Sequence, residues 1–384
     1  MVPDSAAKQQ KNNKRTGTVI DLRFGFDKLC GSMWTGGQFS WSFMMTISRS
    51  RLVDTDVTRW YHCISRCVRR AVLLSEDGSP GRKDWIDQRL KELDQIFAIS
   101  VGGFSIMDNH LHFLLRIDVE QASQWSAMEV ARRWMTLYPP RGSDRKPMKV
   151  PDDFLKLKAE NAVWVEATRK RLSSLGWFMK CLKEPLARMA NKQDGCTGAF
   201  FEGRYKSIAI LDEESLLSIC AYIDLNPMAA GIVSLPEESP HTSIKERVEH
   251  VKATGRISDV SEIRNGSVAA TAVSDGLERD LWLVPIEDRR KQGALREGMR
   301  EGFTLGQYLM LVDYTSRLVR DGKATLSAEV EGIFTRLGSS AQSWRARLLK
   351  LSGPRLLGRF LSASRDRLRE IAQRIGVRHL ANVG

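Results

Sequence analysis

Two histidines separated by one residue are the first side chains in this sequence whose type and spacing could do chemistry. They are His110 and His112, within the strand-like segment SIMDNHLHFLLRI. Side chains alternate along a strand, so both imidazoles are expected on one face, with apolar residues on the other. Neutral imidazole is a common protein metal ligand, and the pair could therefore hold a divalent cation. Two ordinary half-buried histidines in an amphipathic strand are the alternative.

A tyrosine and an asparagine four residues apart form a second group. Tyr222 and Asn226 lie in DEESLLSICAYIDLNP, which predicts a helix with Asp212 as its N-cap. Pro227 disfavours helical geometry at the residue before it and is expected to end the helix near Asn226. Four residues advance only ~40° past a full turn, so Ser218, Tyr222 and Asn226 are predicted on one polar face. The core-facing stripe is predicted to consist of Leu216, Ile219, Cys220 and Ile223.

The charge of the chain indicates a polyanionic partner. The 384 residues include 59 Lys and Arg against 46 Asp and Glu, a net charge of +13. Basic residues beside the motif strands could hold phosphates, although each is also readable as an ordinary surface charge. They are Arg66, Arg69, Arg70, Arg204 and Lys206. No apolar run approaches the ~18 residues of a membrane span, and no signal peptide is recognisable, so a cytoplasmic protein without a membrane partner is expected.

Together these residues predict phosphoryl transfer on DNA. Tyr222 would attack a phosphorus atom and hold the 5′ end as a phosphotyrosine ester, releasing a 3′-hydroxyl. A cation bound by His110 and His112, with the Asn226 carbonyl oxygen as a further ligand, would stabilise charge on the phosphate oxygens. A hard cation, Mg²⁺ or Mn²⁺, suits that oxygen ligand. No Walker-type G-x-x-x-x-G-K-[ST] is present, so no nucleotide cofactor is expected.

The order of predicted elements indicates how these residues are positioned. Strand, helix, strand and strand from Trp60 to Ile117 open a ferredoxin-like split unit with an antiparallel sheet, and hence an α+β domain. We predict a disordered leader at 1–44, a catalytic domain at 45–235 with an insertion at about 118–173, a linker at 236–275, and a mainly helical basic domain at 276–384. The insertion contains YPPRGSDRKP and is expected to be a loop, whereas the C-terminal domain is expected to carry basic residues on its exterior.

Two motifs resemble a known family. SIMDNHLHFLLRI resembles the HUH motif of single-tyrosine transposases, and GAFFEGRYKSIAILDEESLLSICAYIDLNPMAAGIV resembles the signature of the REP-associated tyrosine transposases. The segment YHCISRCVRR is similar to the first strand of that branch, so the resemblance extends from about Arg59 to Val233. It implies that His110 and His112 bind metal, that Tyr222 is the nucleophile and that Asn226 supplies a further ligand. It also implies a ferredoxin-like fold and cleavage and rejoining of single-stranded or hairpin DNA, with a homodimer as one option.

Two alternatives use the same fold without cleavage. A non-catalytic protein could grip hairpin DNA, and an RNA-binding protein could present sheet aromatics such as Phe201 and Tyr205 to bases. Simple binding requires none of the combination of His110, His112, Tyr222 and Asn226. That combination favours the enzyme, and formation of a covalent protein–DNA adduct separates it from both alternatives.

Overall fold

The computed structural model describes residues 53–75, 81–255, 277–278, 280–321, 328–351, 360–362 and 365–374. The predicted leader at 1–44 therefore lies outside the described residues.

The strands are β1 (Trp60–Arg66), β2 (Ile99–Ile106), β3 (His110–Ile117), β4 (Lys206–Ile210), β5 (Glu287–Asp288), β6 (Arg300–Glu301) and β7 (Phe360–Leu361). The helices are α1 (Arg82–Ile96), α2 (Val119–Gln124), α3 (Ala127–Leu137), α4 (Asp152–Glu160), α5 (Ala162–Leu172), α6 (Leu175–Gln193), α7 (Glu213–Asp224), α8 (Asn226–Ala229), α9 (Ser243–Ala253), α10 (Leu305–Asp321), α11 (Ala328–Arg336), α12 (Ala341–Leu351) and α13 (Arg365–Arg374).

The central sheet has four antiparallel strands in the order β2-β3-β1-β4. β7 extends it as a short strand parallel to β4, and β5 and β6 form a separate two-stranded sheet. β1 and β2 run in the same direction on either side of β3, with α1 connecting them, which is the split βαβ arrangement. The prediction of an α+β fold with an antiparallel sheet is confirmed.

One face of the sheet is covered by α1 and α6 and is apolar. On β3 this face carries Leu111, Phe113, Leu115 and Ile117, all of which are buried in one hydrophobic cluster with residues of both helices. The alternation read from the sequence is therefore correct for this strand. Burial of this face fixes the strand register, because a shift by one residue would turn the apolar side chains to the opposite face.

The other face of the sheet is covered by α7 and the C-terminal helices. Every residue of α7 from Ser215 to Asp224 is buried, because the helix lies between the sheet and helices α10 and α12. The predicted stripe from Leu216 to Ile223 is in the core, and Asp212 caps the helix by accepting from the Ser215 amide. On the polar face predicted for this helix, Ser218 and Tyr222 are buried. Ser218 accepts a hydrogen bond from Arg347 of α12, 3.1 Å away.

The insertion at 118–173 is mostly helical rather than a loop. It forms α2 to α5, and its longest irregular stretch is 138–151 between α3 and α4. The helices are held by apolar residues at helical spacing, such as Val130, Trp134 and Met135 on α3. The prolines and glycine of YPPRGSDRKP mark this connection and do not define the insertion as a whole.

The stretch predicted as a linker also differs in the structure. Residues 243–253 form α9, whose Ile244, Val248 and Val251 are buried, whereas residues 256–276 lie outside the described part of the chain. The basic C-terminal segment is partly core, since Trp344 is fully buried and Arg347 nearly so. None of the described helices is long and apolar enough to cross a membrane.

Candidate active site

The strand register places a third histidine beside the predicted pair. In the antiparallel β1–β3 ladder, Arg66 pairs with His110, Ile64 with His112, and His62 with Leu114. Cross-strand partners and residues two apart share a face of a sheet, so His62 and Arg66 lie on the same face as the two predicted ligands. His62 was not among the residues predicted from the sequence.

The predicted histidines and tyrosine are brought together beneath α7. The ring centroids of His110 and His112 are 4.8 Å apart, and the Tyr222 ring lies edge-on to His112 at 5.7 Å. The rings of His62 and His112 lie edge to edge with centroids 5.1 Å apart, and His62 meets the Tyr222 ring edge-on at 6.1 Å. The cluster therefore contains three imidazoles and one phenol from β1, β3 and α7.

Asn226 completes this cluster from a separate helix. α7 ends at Asp224, and Asn226 is the first residue of α8, directly before Pro227. Its Nδ2 lies 3.4 Å from Nε2 of His112, and the amide also hydrogen-bonds with the His110 and Tyr222 side chains. This amide thus contacts His110, His112 and Tyr222, the three other residues predicted for the site. It is placed there by the break between α7 and α8.

The Nδ1 atoms of His110 and His112, the two predicted ligands, form hydrogen bonds to residues other than Asn226. Nδ1 of His110 donates to Oδ1 of Asn109 at 2.6 Å, and Nδ2 of Asn109 donates to the Arg70 carbonyl oxygen at 3.1 Å. Nδ1 of His112 lies 2.8 Å from Nε2 of His62. Each of the two histidines therefore has a hydrogen-bond partner at Nδ1, which leaves Nε2 as the nitrogen that could face a ligand. Within the described residues, no group of three or more His, Cys, Asp or Glu side chains is arranged to hold a metal ion.

Burial controls the protonation of the cluster. Desolvation lowers the pKa of His110 to about 4, with the positive charge of Arg66 acting in the same direction, and lowers the pKa of His62 to about 3. It also holds the pKa of His112 well below its ordinary value. Burial raises the pKa of Tyr222 to about 12, against an opposing hydrogen bond from Asn226. At neutral pH the imidazoles are neutral and can donate lone pairs, whereas the phenol keeps its proton.

The cluster reaches solvent at one edge. His62, His112 and Tyr222 are buried, whereas His110, Asn226 and Arg66 are partly exposed. A substrate would therefore meet the cluster from the side of those three residues.

The predicted basic residues are distributed around this edge. Arg69 and Arg70 are exposed in the turn after β1, where both have left-handed backbone conformations with φ of 54° and 56°. Arg204 and Lys206 are exposed at the start of β4, and Lys206 pairs with Ile64 and so belongs to the site face. Two consecutive arginines with positive φ are uncommon, and such strain is often found at functional sites. Phe201 and Tyr205 are buried, so the described conformation does not present them to bases.

Comparison with known proteins gives one match. No protein-family model and no curated protein sequence matches the chain. Among solved structures the chain is similar to a REP-associated tyrosine transposase bound to a REP hairpin, with 13% sequence identity over 50% of this chain and 78% of that one. The TM-score is 0.27. At that score the two structures share too little overall geometry to transfer residue roles, so the side-chain arrangement has to carry the functional interpretation.

Proposed function

We propose that this chain is a metal-dependent transposase that cleaves and rejoins single-stranded DNA at hairpins or repeats through Tyr222. The observation that carries the proposal is the convergence of the Tyr222 hydroxyl, the Asn226 amide and the rings of His110 and His112 in one cluster. The motifs that resemble single-tyrosine transposases supply the same four residues independently of the structure.

The chemistry requires Tyr222 to lose its proton. Its oxygen forms a bond to a backbone phosphorus while the bond from that phosphorus to the 3′-oxygen breaks, and the 3′-oxygen leaves as a hydroxyl after taking a proton. The reverse reaction rejoins the strand without a nucleotide cofactor, because the phosphotyrosine ester conserves the bond energy of the cleaved phosphodiester. Since burial raises the pKa of Tyr222 to about 12, the site has to favour the phenolate when substrate is bound. The Asn226 hydrogen bond and the charge of Arg66 both act in that direction.

The residues present fit a divalent cation. His110 and His112 would hold it through Nε2, since their Nδ1 atoms are already engaged. The Asn226 amide would add its oxygen as a ligand. Its N–H donor lies 3.4 Å from Nε2 of His112 and so faces the lone pair of that nitrogen, where a positive charge would also be favourable. Mg²⁺ or Mn²⁺ is the proposed ion. When bound, it would stabilise negative charge on the phosphate oxygens during transfer.

Basic residues at the edge of the cluster are suited to bind the phosphates of the DNA backbone. Arg69, Arg70, Arg204 and Lys206 are exposed beside the site, and Arg66 is partly exposed within it. Lys and Arg commonly position phosphates without reading sequence. We therefore propose that these five residues guide an unpaired strand towards Tyr222.

A covalent-adduct assay tests the proposal. The full chain is incubated with Mn²⁺ or Mg²⁺ and a library of single-stranded hairpins with randomised flanks, labelled at the 3′ end, and denatured. Label that remains on the wild-type protein and is absent from Tyr222→Phe is the expected result. Tyr205→Phe is the control, because this tyrosine lies between two of the proposed DNA contacts, and it should retain the adduct. An adduct that maps to Tyr205 would refute the assignment.

A hairpin-binding protein without catalysis is the second candidate. It is favoured by the burial of Tyr222, which is only 9% exposed, and by the raised pKa of its hydroxyl. Wild-type protein that binds the hairpins tightly but forms no adduct in either metal would establish this function instead. An RNA-binding role through the sheet is disfavoured, because helices cover both faces of the described sheet.

A further inference from the structure

His62 belongs to none of the roles assigned so far, yet it lies at the centre of the cluster. It is fully buried on β1, its ring lies edge to edge with that of His112 at an interplanar angle of 22°, and its Nε2 lies 2.8 Å from Nδ1 of His112. A buried imidazole has to place one N–H and one lone pair, so this contact has consequences for both rings.

The hydrogen-bond partners of His112 define its tautomer. Asn226 Nδ2 faces Nε2 of His112, so that atom accepts and Nδ1 carries the proton. The Nδ1–H group then donates to Nε2 of His62, which has to accept. The remaining proton of His62 lies on its own Nδ1, which is buried and has no hydrogen-bond partner among the described residues. His62 thus accepts a hydrogen bond from His112 while its own Nδ1–H group stays without an acceptor among the described residues. Packing of apolar groups alone would not favour a histidine at this position.

The geometry argues against His62 as a metal ligand itself. Its Nε2 is occupied by His112, and its Nδ1 is enclosed without a partner. The three histidines also do not form a ligand group within the described residues. Backbone pairing of β1 with β3 fixes the two rings relative to one another, because Ile64 is directly opposite His112 and His62 is the next residue on the same face.

We propose that His62 is a positioning residue that holds His112 with its proton on Nδ1 and its Nε2 lone pair directed at Asn226. Outer partners of this kind fix the orientation of a histidine ligand and raise its basicity. The inference rests on the metal site of the proposed function, although the tautomer itself is a property of the protein alone.

Two variants and one spectroscopic measurement test the proposal. His62→Phe keeps an aromatic ring but cannot accept a hydrogen bond, whereas His62→Gln keeps an acceptor on a side chain of similar reach. Mn²⁺ alone is titrated into each full-length protein by calorimetry, with circular dichroism to verify folding. We expect ~10–100-fold weaker Mn²⁺ binding for His62→Phe and a loss of only about threefold for His62→Gln. Equal Mn²⁺ affinity of folded His62→Phe and wild type would overturn the proposal.

The tautomer is measured separately by long-range ¹H–¹⁵N correlation of histidine-labelled wild-type protein without added metal. We expect the His112 proton on Nδ1, and a proton on Nε2 would overturn the proposal even if His62→Phe does not fold. Wild-type protein that shows the Nδ1 proton but binds no Mn²⁺ would refute the metal site of the proposed function and leave the positioning role of His62 supported.

Discussion

The hydroxyl of Tyr308 offers a direct test of how the C-terminal helices hold the helix that carries Tyr222. Tyr308 is fully buried on α10 and donates to Oδ2 of Asp224, the last residue of α7, and also lies 3.2 Å from the Cys220 sulfur. Asp224 is itself fully buried and accepts from the Ser243 hydroxyl and the Ile244 amide. Tyr308→Phe removes one of three donors to a buried carboxylate while keeping the ring.

The expected magnitude follows from the type of acceptor. A buried acceptor that loses its hydrogen-bond donor costs about 1–3 kcal/mol, and burial prevents water from replacing the lost donor. We therefore expect Tyr308→Phe to lower the free energy of unfolding by about 2 kcal/mol, which corresponds to a fall in Tm of roughly 4–8 °C for a domain of a few hundred residues. The assay is urea unfolding of the full chain at pH 7.5, followed by tryptophan fluorescence and by circular dichroism.

Tyr314→Phe is the matched control on the same helix. Its ring packs against Phe334, but its hydroxyl makes no hydrogen bond to a described residue, so its loss should change stability by less than about 0.5 kcal/mol. If Tyr308→Phe is no more destabilising than Tyr314→Phe, the Tyr308–Asp224 hydrogen bond does not stabilise the packing of α10 on α7.

Three further predictions concern the site. In protein without added metal, the free energy of unfolding should be level between about pH 7 and 8 and fall from pH 6.5 towards 4, because the unfolded chain binds protons that buried His62 and His110 exclude until their lowered pKa values of about 3 and 4. His110 alone accounts for ~3 kcal/mol, and the two histidines together outweigh the opposite effect of Asp94, whose pKa burial raises to about 6, so a flat profile in acid would contradict the prediction. His112→Ala should abolish adduct formation and leave hairpin affinity within about threefold by electrophoretic mobility shift, since phosphate contacts supply most of that affinity. Arg204→Ala and Lys206→Ala should each reduce the slope of log affinity against log salt by about 0.7–0.9, whereas exposed Lys170→Ala on the insertion should leave it unchanged.

Local pattern was sufficient to predict the elements that carry the site. Alternation identified β3 and its apolar face, and the stripe from Leu216 to Ile223 identified α7. The helix ends at Asp224, near the position that Pro227 indicates, but Asn226 is itself helical as the first residue of α8.

His62 could not be placed from the sequence, because its role depends on strand register. The segment YHCISR indicates a strand, but which residue of β3 lies beside His62 is decided by the pairing of Arg66 with His110. Asn109 was missed for a different reason. Its side chain bridges His110 and the Arg70 carbonyl through a turn whose left-handed arginines no propensity rule would predict.

The environment of α7 was also beyond local prediction. The sequence predicts a polar face on this helix, but its spacing does not show that Arg347, 129 positions later, covers Ser218 of that face. The insertion at 118–173 is a second case, since its proline-rich segment predicts a loop, whereas most of the insertion forms four helices. In both cases tertiary packing, rather than the local sequence, determines what is exposed.

The late packing of α7 has a consequence for the order of synthesis. Three contacts that hold this helix come from Tyr308, Arg347 and Ser362, which are 84, 133 and 150 residues away from their partners along the chain. A ribosome adds ~5–20 residues each second, so at least several seconds separate the emergence of Tyr222 from that of the residues that pack around its helix. The strands and their histidines can pair before then, but the helix that carries Tyr222 acquires its final surroundings last. A nascent chain therefore holds Tyr222 on an incompletely supported helix until residues 308 to 362 have emerged.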